Sequence, residues 1–188
     1  MDEFSYLSVL ISIILGLALA QLITGIGRLI QVRARVDLYW PSVVWACVLL
    51  VINVQSWWAM FALRRVREWT FLEFLVVLLH PLALYLLAAL ALPDVTEFNG
   101  AARINLKANY FNHSRWFFGA VMVTIAASLA RPFAFGGHPA VADIVVQMLW
   151  FALAGAALVT WREGYHKLLA AVFPASLALY IGALFARL

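Results

Sequence analysis

The chain has 188 residues, of which 66% are hydrophobic and only 12% charged, and its mean hydropathy is +0.96. An ordinary soluble domain carries about a quarter charged residues, so this composition excludes one. The net charge of +4 gathers at the ends of apolar segments, which reads as membrane topology and headgroup contact rather than nucleic-acid binding.

A bilayer's hydrocarbon core is crossed by about 20 apolar residues in a helix. Six stretches reach that length: 4–30, 40–63, 69–92, 116–135, 139–161 and 165–186. The expected fold is therefore all-α, a polytopic membrane protein with a six-transmembrane-helix bundle in one integral membrane domain over residues 1–188. Eleven Arg against two Lys, with abundant Ala and Leu, point to a GC-rich bacterial genome and hence to a plasma membrane, the bacterial inner membrane.

The first stretch carries Ala18-Leu19-Ala20, which looks like a signal-peptide cleavage site. Its leading residues Asp2 and Glu3 are acidic and the apolar run continues to Ile30, so an uncleaved helix is expected. Ser8, Ser12, Gly16, Ala20 and Thr24 recur at every fourth position, a small-residue stripe that lets another backbone approach closely. The second stretch holds Cys47, the only cysteine, so neither an intramolecular disulfide nor a CxxC metal site can form. It also holds Asn53 and Gln55, which are two positions apart and cannot share a helix face.

Glu73 and His80 share one face of the third stretch, about 10 Å apart along the axis. Pro81 follows and cannot donate to the backbone ladder. An imidazole beside a kink, with a carboxylate two turns away, suits a proton relay or a gate. The plainer role is a donation from His80 to a neighbouring helix, with Glu73 paired to an interfacial Arg. The long gap after this helix is read either as a polar loop or as an amphipathic interfacial helix within 98–112. At its end Tyr110, Asn112, His113, Ser114, Arg115 and Trp116 form an aromatic and polar patch suited to a headgroup, a quinone or a partner, or simply to anchoring. Asp143 and Gln147 share a face of the fifth stretch, where Asp143 is placed to be hydrated or to pair with Arg131. Taken at helix midpoints, Gln21, Asn53, His80, Thr124, Gln147 and Ser176 form a polar layer.

Arg67-Glu68 and Arg162-Glu163 are ninety-five positions apart, and Leu82-Ala83-Leu84-Tyr85 matches Leu177-Ala178-Leu179-Tyr180 at the same offset. Two three-helix halves would have opposite sense in the membrane, the inverted repeat of many transporters. Leu- and Ala-rich composition alone also produces such matches. The positive-inside count sets Arg28, Arg33, Arg35, Arg103, Lys107, Arg115, Arg162 and Lys167 against Arg64, Arg65, Arg67, Arg131 and Arg187, which favours both termini outside.

Several chemistries find no support. Among His80, His113, His138 and His166 only His80 lies deep, so a transmembrane pair of haems has no ligand set, although one interfacial haem is conceivable. There is no P-loop, GxSxG or HExxH, and no metal site or catalytic residue is expected. The leading expectation is a small transporter or channel acting as a homo-oligomer in the lipid bilayer, with its pathway at His80, Glu73, Asn53, Gln21, Gln147 and Asp143. The alternatives are a non-catalytic accessory or scaffold subunit of a larger membrane complex and, behind it, a haem- or quinone-binding redox protein.

Overall fold

A computed structural model describes residues 3–66, 68–95 and 103–184. It is all-helical, with six α-helices: α1 (Glu3–Gln31), α2 (Trp40–Met60), α3 (Phe71–Ala91), α4 (Leu106–Ala134), α5 (Val141–Val159) and α6 (Glu163–Leu184). The first five are long and apolar enough to cross a membrane. Large apolar side chains such as Ile13, Leu17, Val54, Leu72, Val145 and Leu179 lie exposed on the outside of the bundle. An outer surface this apolar suits hydrocarbon, not water.

Local chemistry sets the helix ends. Tyr39 is extended and Pro41 occupies the first turn of α2, where a missing N–H costs nothing. Thr70 and Glu73 form a reciprocal capping box at the start of α3. Asn105 accepts from the Ala108 amide and starts α4 ten residues before the expected Trp116. Of the anticipated interfacial helix, Ile104 and Asn105 form a short strand instead, and the residues from Leu106 onward are the opening of α4 itself. It holds because Leu106, Tyr110, Ser114 and Phe117 recur on one face and are buried. Residues 98–102 of that anticipated helix lie outside the described residues.

At the other end of α4, Gly136 takes φ +64, Gly137 N donates to Pro132 O at 2.9 Å and Gly136 N to Phe133 O at 3.1 Å. This is the Schellman arrangement, and its left-handed residue favours glycine. It turns the chain tightly into α5.

Helix packing builds a ring. α3 lies against α1, α2 and α4; α4 lies against α5; and α6 lies against α2 and α5. Helices α2 to α6 therefore close around a common space, and α1 packs outside on α2 and α3. The two three-helix segments differ in this respect. In α1–α3 every helix packs on both others, whereas α4 and α6 make little mutual contact because α5 lies between them.

One end of the bundle is tied by a two-residue parallel ladder, Val36 with Ile104 and Asp37 with Asn105. Ion pairs join it there: Arg28–Asp94 at 3.0 Å, Arg103–Asp37 at 3.5 Å, Lys107–Glu163 at 2.6 Å and Lys167–Glu163 at 2.8 Å. The opposite end joins α3 to α4 through the edge-on rings of Trp69 and Phe135, 5.3 Å apart.

The buried face of α1 is Leu7, Ile11, Leu15, Ala18 and Leu22. The small-residue stripe sits on another face: Gly16, Ala20 and Thr24 are exposed, Ser8 and Ser12 partly so. A Cβ at Gly16 would meet nothing within 4 Å, whereas one at Gly25 would come within 3.2 Å of Leu92. The close approach of α1 to α3 thus depends on Gly25, outside that stripe.

Candidate functional site

The ring of five helices lines a half-open cavity of about 180 Å³. Each helix gives it one face at helical spacing. Trp45, Leu49, Ile52, Ser56 and Ala59 come from α2, with Gln55 beside them, and His80, Leu84 and Leu87 from α3. From α4 come Val121, Thr124, Ile125, Ser128, Arg131 and Pro132. Asp143, Val146, Gln147 and Trp150 come from α5, and Phe173, Ser176, Leu177 and Tyr180 from α6. Positions recurring at three, four and seven residues are those a helix presents on one side.

Its two ends differ chemically. Toward the α4–α5 turn the wall holds Arg131, Asp143, Gln147, Tyr180, Ser128 and Ser56. Toward the ladder end it holds aromatic rings: Phe173 meets Trp150 with centroids 4.2 Å apart and Trp45 at 5.1 Å. Trp45 in turn meets Phe117 at 5.5 Å and Phe118 at 5.8 Å, so the floor is braced by four helices.

At the polar end, Asp143 Oδ1 accepts from Gln147 Nε2 and from the Tyr180 hydroxyl, both at 2.6 Å. Arg131 stands in the last turn of α4 and Asp143 in the first turn of α5. Each charge occupies the helix end whose dipole favours it. Among the described residues the Arg131 guanidinium makes no hydrogen bond and no ion pair, not even to Asp143. Pro132 follows directly, and lacking an N–H it leaves the Ser128 carbonyl one turn back without its helical donor.

His80 is held between two helices. The Thr124 carbonyl can only accept, so Nδ1 carries the proton and donates to it at 3.3 Å. Nε2 of the neutral ring then accepts from the Ser56 hydroxyl at 3.2 Å. A niche of about 20 Å³ behind the ring, lined by His80, Ser56 and Arg131, is large enough for one water.

Of the pathway residues expected from sequence, His80, Gln147 and Asp143 meet at this cavity, along with Thr124, Ser176 and Gln55. Glu73 does not reach it: its carboxylate accepts from the Thr70 amide at 2.6 Å and hydroxyl at 2.7 Å, closing the capping box. Asn53 is fully buried within α2, its Nδ2 donating to Leu49 O at 2.8 Å. Gln21 is exposed on the outside of α1. Two residues not put forward from sequence complete the cavity, Arg131 and Tyr180. The sequence offers Arg131 as a charge at the membrane surface or as a partner of Asp143, yet it lies four residues inside the expected end of its helix, directly precedes a proline and makes no ion pair with Asp143. Tyr180 lies seven residues after Phe173, on the same face.

The aromatic and polar patch at the start of α4 divides. Tyr110 is buried and its hydroxyl donates to His166 Nδ1 at 3.1 Å, while His166 Nε2 donates to Thr160 O at 2.8 Å. His113 Nδ1 donates to Asn109 O at 3.0 Å, Arg115 lies over the Trp161 ring at 5.2 Å and Trp116 is exposed. Both ring nitrogens of His80 and of His166 are therefore engaged within the protein, and neither presents a free nitrogen to a metal. Beside this cluster Glu163 takes donations from Lys107 and Lys167, which hold its carboxyl down at about 2.

The chain matches no family model, no curated protein and no solved structure.

Proposed function

We propose that this protein is a small integral membrane transporter or channel whose solute site is the five-helix cavity. All six helices cross the bilayer in this reading, α6 included, because α6 forms one wall of the ring. The observation that carries it is Arg131, in the last turn of α4, facing the cavity with no hydrogen bond or ion pair among the described residues. A charge drawn partly out of water without a partner is costly, and a half-buried ionisable group inside an apolar helix bundle marks a functional pathway by default. Pro81, Pro132 and Pro174 interrupt the backbone ladders of three of the five ring helices, which suits a wall that moves.

The same reading sets the orientation. With Arg131 withdrawn into the cavity, the sequence count of eight basic residues against five becomes eight against four, in favour of the side that carries the ladder. The ladder end is then cytoplasmic in a bacterial inner membrane, and the polar end of the cavity faces outward. The outward small-residue stripe of α1 is free to pack on a second copy, giving a homo-oligomer. An inverted three-helix repeat would account for the matched segments of α3 and α6, both of which line the cavity.

The test is flux through liposomes containing the purified protein, read for protons, inorganic ions and small organic solutes. Flux above protein-free liposomes is expected, with Ser176→Trp, which fills the cavity, reducing it at least about tenfold. Absence of any flux overturns the reading. A rival reading, an accessory subunit of a larger membrane complex, draws on the same exposed stripe of α1. It predicts a different protein co-purifying at fixed stoichiometry, whereas the transporter reading predicts only copies of this chain.

A further inference from the structure

We propose that the cavity binds a net-neutral zwitterion with an apolar body, the chemistry of an α-amino acid with an aromatic or branched aliphatic side chain. This rests on reading the cavity as a solute site.

Arg131 and Asp143 supply the recognition. They come from adjacent helix ends, face the same cavity and make no ion pair with each other. Asp143 spends one oxygen, Oδ1, on both Gln147 and Tyr180, and among the described residues its Oδ2 accepts nothing. Each charged side chain thus keeps open valence, a fork of donors on one and a carboxylate oxygen on the other. The formal charges of this wall sum to zero. Both side chains are half-buried, and a charge partly withdrawn from water without a partner is costly, so an anion would satisfy Arg131 but crowd Asp143, and a cation would do the reverse. A carboxylate on Arg131 with an ammonium on Asp143 satisfies both at once.

The remainder of the cavity sets the body. From Asp143 to Trp150 is seven residues, about 10 Å along α5, which spans an amino-acid head and one aromatic side chain. Trp45, Trp150 and Phe173 line that far end. The volume, about 180 Å³, slightly exceeds the roughly 150 Å³ that takes up one benzene, which leaves room for a ring and little more than its polar head.

The experiment measures binding to the detergent-purified wild-type protein by calorimetry, using four probes: L-phenylalanine, 3-phenylpropionate, phenethylamine and glycine. L-Phenylalanine is expected to bind at least about tenfold more tightly than each of the other three, since each lacks one of the three recognised parts. In Arg131→Gln the preference over phenethylamine should vanish, and in Asp143→Asn the preference over 3-phenylpropionate should vanish. The wild-type series decides the matter even if neither variant folds. Equal or tighter binding of either single-charge analogue overturns the proposal, as does no binding of any probe up to about 10 mM. Binding without flux in liposomes would sink transport and leave the site standing. Flux of other solutes without phenylalanine binding would do the opposite.

Discussion

The Tyr180 hydroxyl donates to Asp143 Oδ1 at 2.6 Å, joining the cavity face of α6 to the first turn of α5. These two helices otherwise pack sparingly. The contact therefore does two things: it pins α6 to the ring and it orients the carboxylate that faces Arg131.

Tyr180→Phe should destabilise the folded protein by about 1–2 kcal/mol, between the larger value typical of hydrogen bonds to charged groups and the smaller one found in membranes. Gln147→Leu should cost a similar amount. Because both donors share one oxygen, the double variant should depart from the sum of the two by at least about 0.5 kcal/mol. Unfolding in detergent, followed for the complete cycle, measures this, and strict additivity would show that the shared oxygen is not a coupling point.

His80 joins α3 to both α2 and α4. His80→Ala removes two hydrogen bonds and opens space, with an expected loss of about 2–3 kcal/mol, whereas Ser56→Ala removes one and should lose about 1 kcal/mol. Equal losses for the two would mean that the Thr124 contact contributes nothing.

At the ladder end, Glu163 is clasped by Lys107 and Lys167 and its carboxyl is held at about 2, against an ordinary value of 4.5. A carboxylate held low in the folded state adds stability that is fully present above the unfolded value and is lost as pH falls through the folded one. The wild type should therefore lose stability between about pH 4.5 and 2 by a component that Glu163→Gln lacks. Thermal unfolding of both proteins across that window is the measurement, and superimposable profiles count against the clasp.

Gly25 and Gly16 separate the two faces of α1. Gly25→Leu drives a side chain into Leu92 and should destabilise by about 1–3 kcal/mol. Gly16→Leu points away from the bundle and should change the stability of a single copy by no more than about 0.5 kcal/mol. If instead Gly16→Leu splits a detergent-stable oligomer into single copies, the exposed stripe is where copies meet.

Much of the architecture was legible because hydrophobic burial in a membrane is written in runs. Six apolar stretches of about the right length announce helices, and Gly, Pro and capping residues such as Thr70 and Glu73 mark their ends. The start of α4 was misplaced because Lys107, Asn109, Asn112 and His113 make its first turns polar, while the buried face of Leu106, Tyr110 and Ser114 is too sparse to stand out. The polar layer was legible only in part. His80, Gln147 and Asp143 were picked out because polar residues inside apolar runs are conspicuous. Glu73, Asn53 and Gln21 are equally conspicuous, yet Glu73 caps its own helix, Asn53 Nδ2 bonds within α2 and Gln21 faces outward, since rarity says nothing about direction. The buried Asn53 Oδ1 has no hydrogen-bond partner among the described residues.

The sequence by itself determined that this chain is a set of long apolar helices, which of them carry polar groups inside their apolar runs, and where charges accumulate at their ends. Those properties follow from hydrophobicity and from helical periodicity, which are local. Only the tertiary structure decided that α2 to α6 close a ring with α1 outside it, and that Arg131 turns inward beside Asp143. It also brought the faces of five helices to one cavity. Which face meets which neighbour is set by packing between segments far apart in the chain, and no single helix encodes its partner.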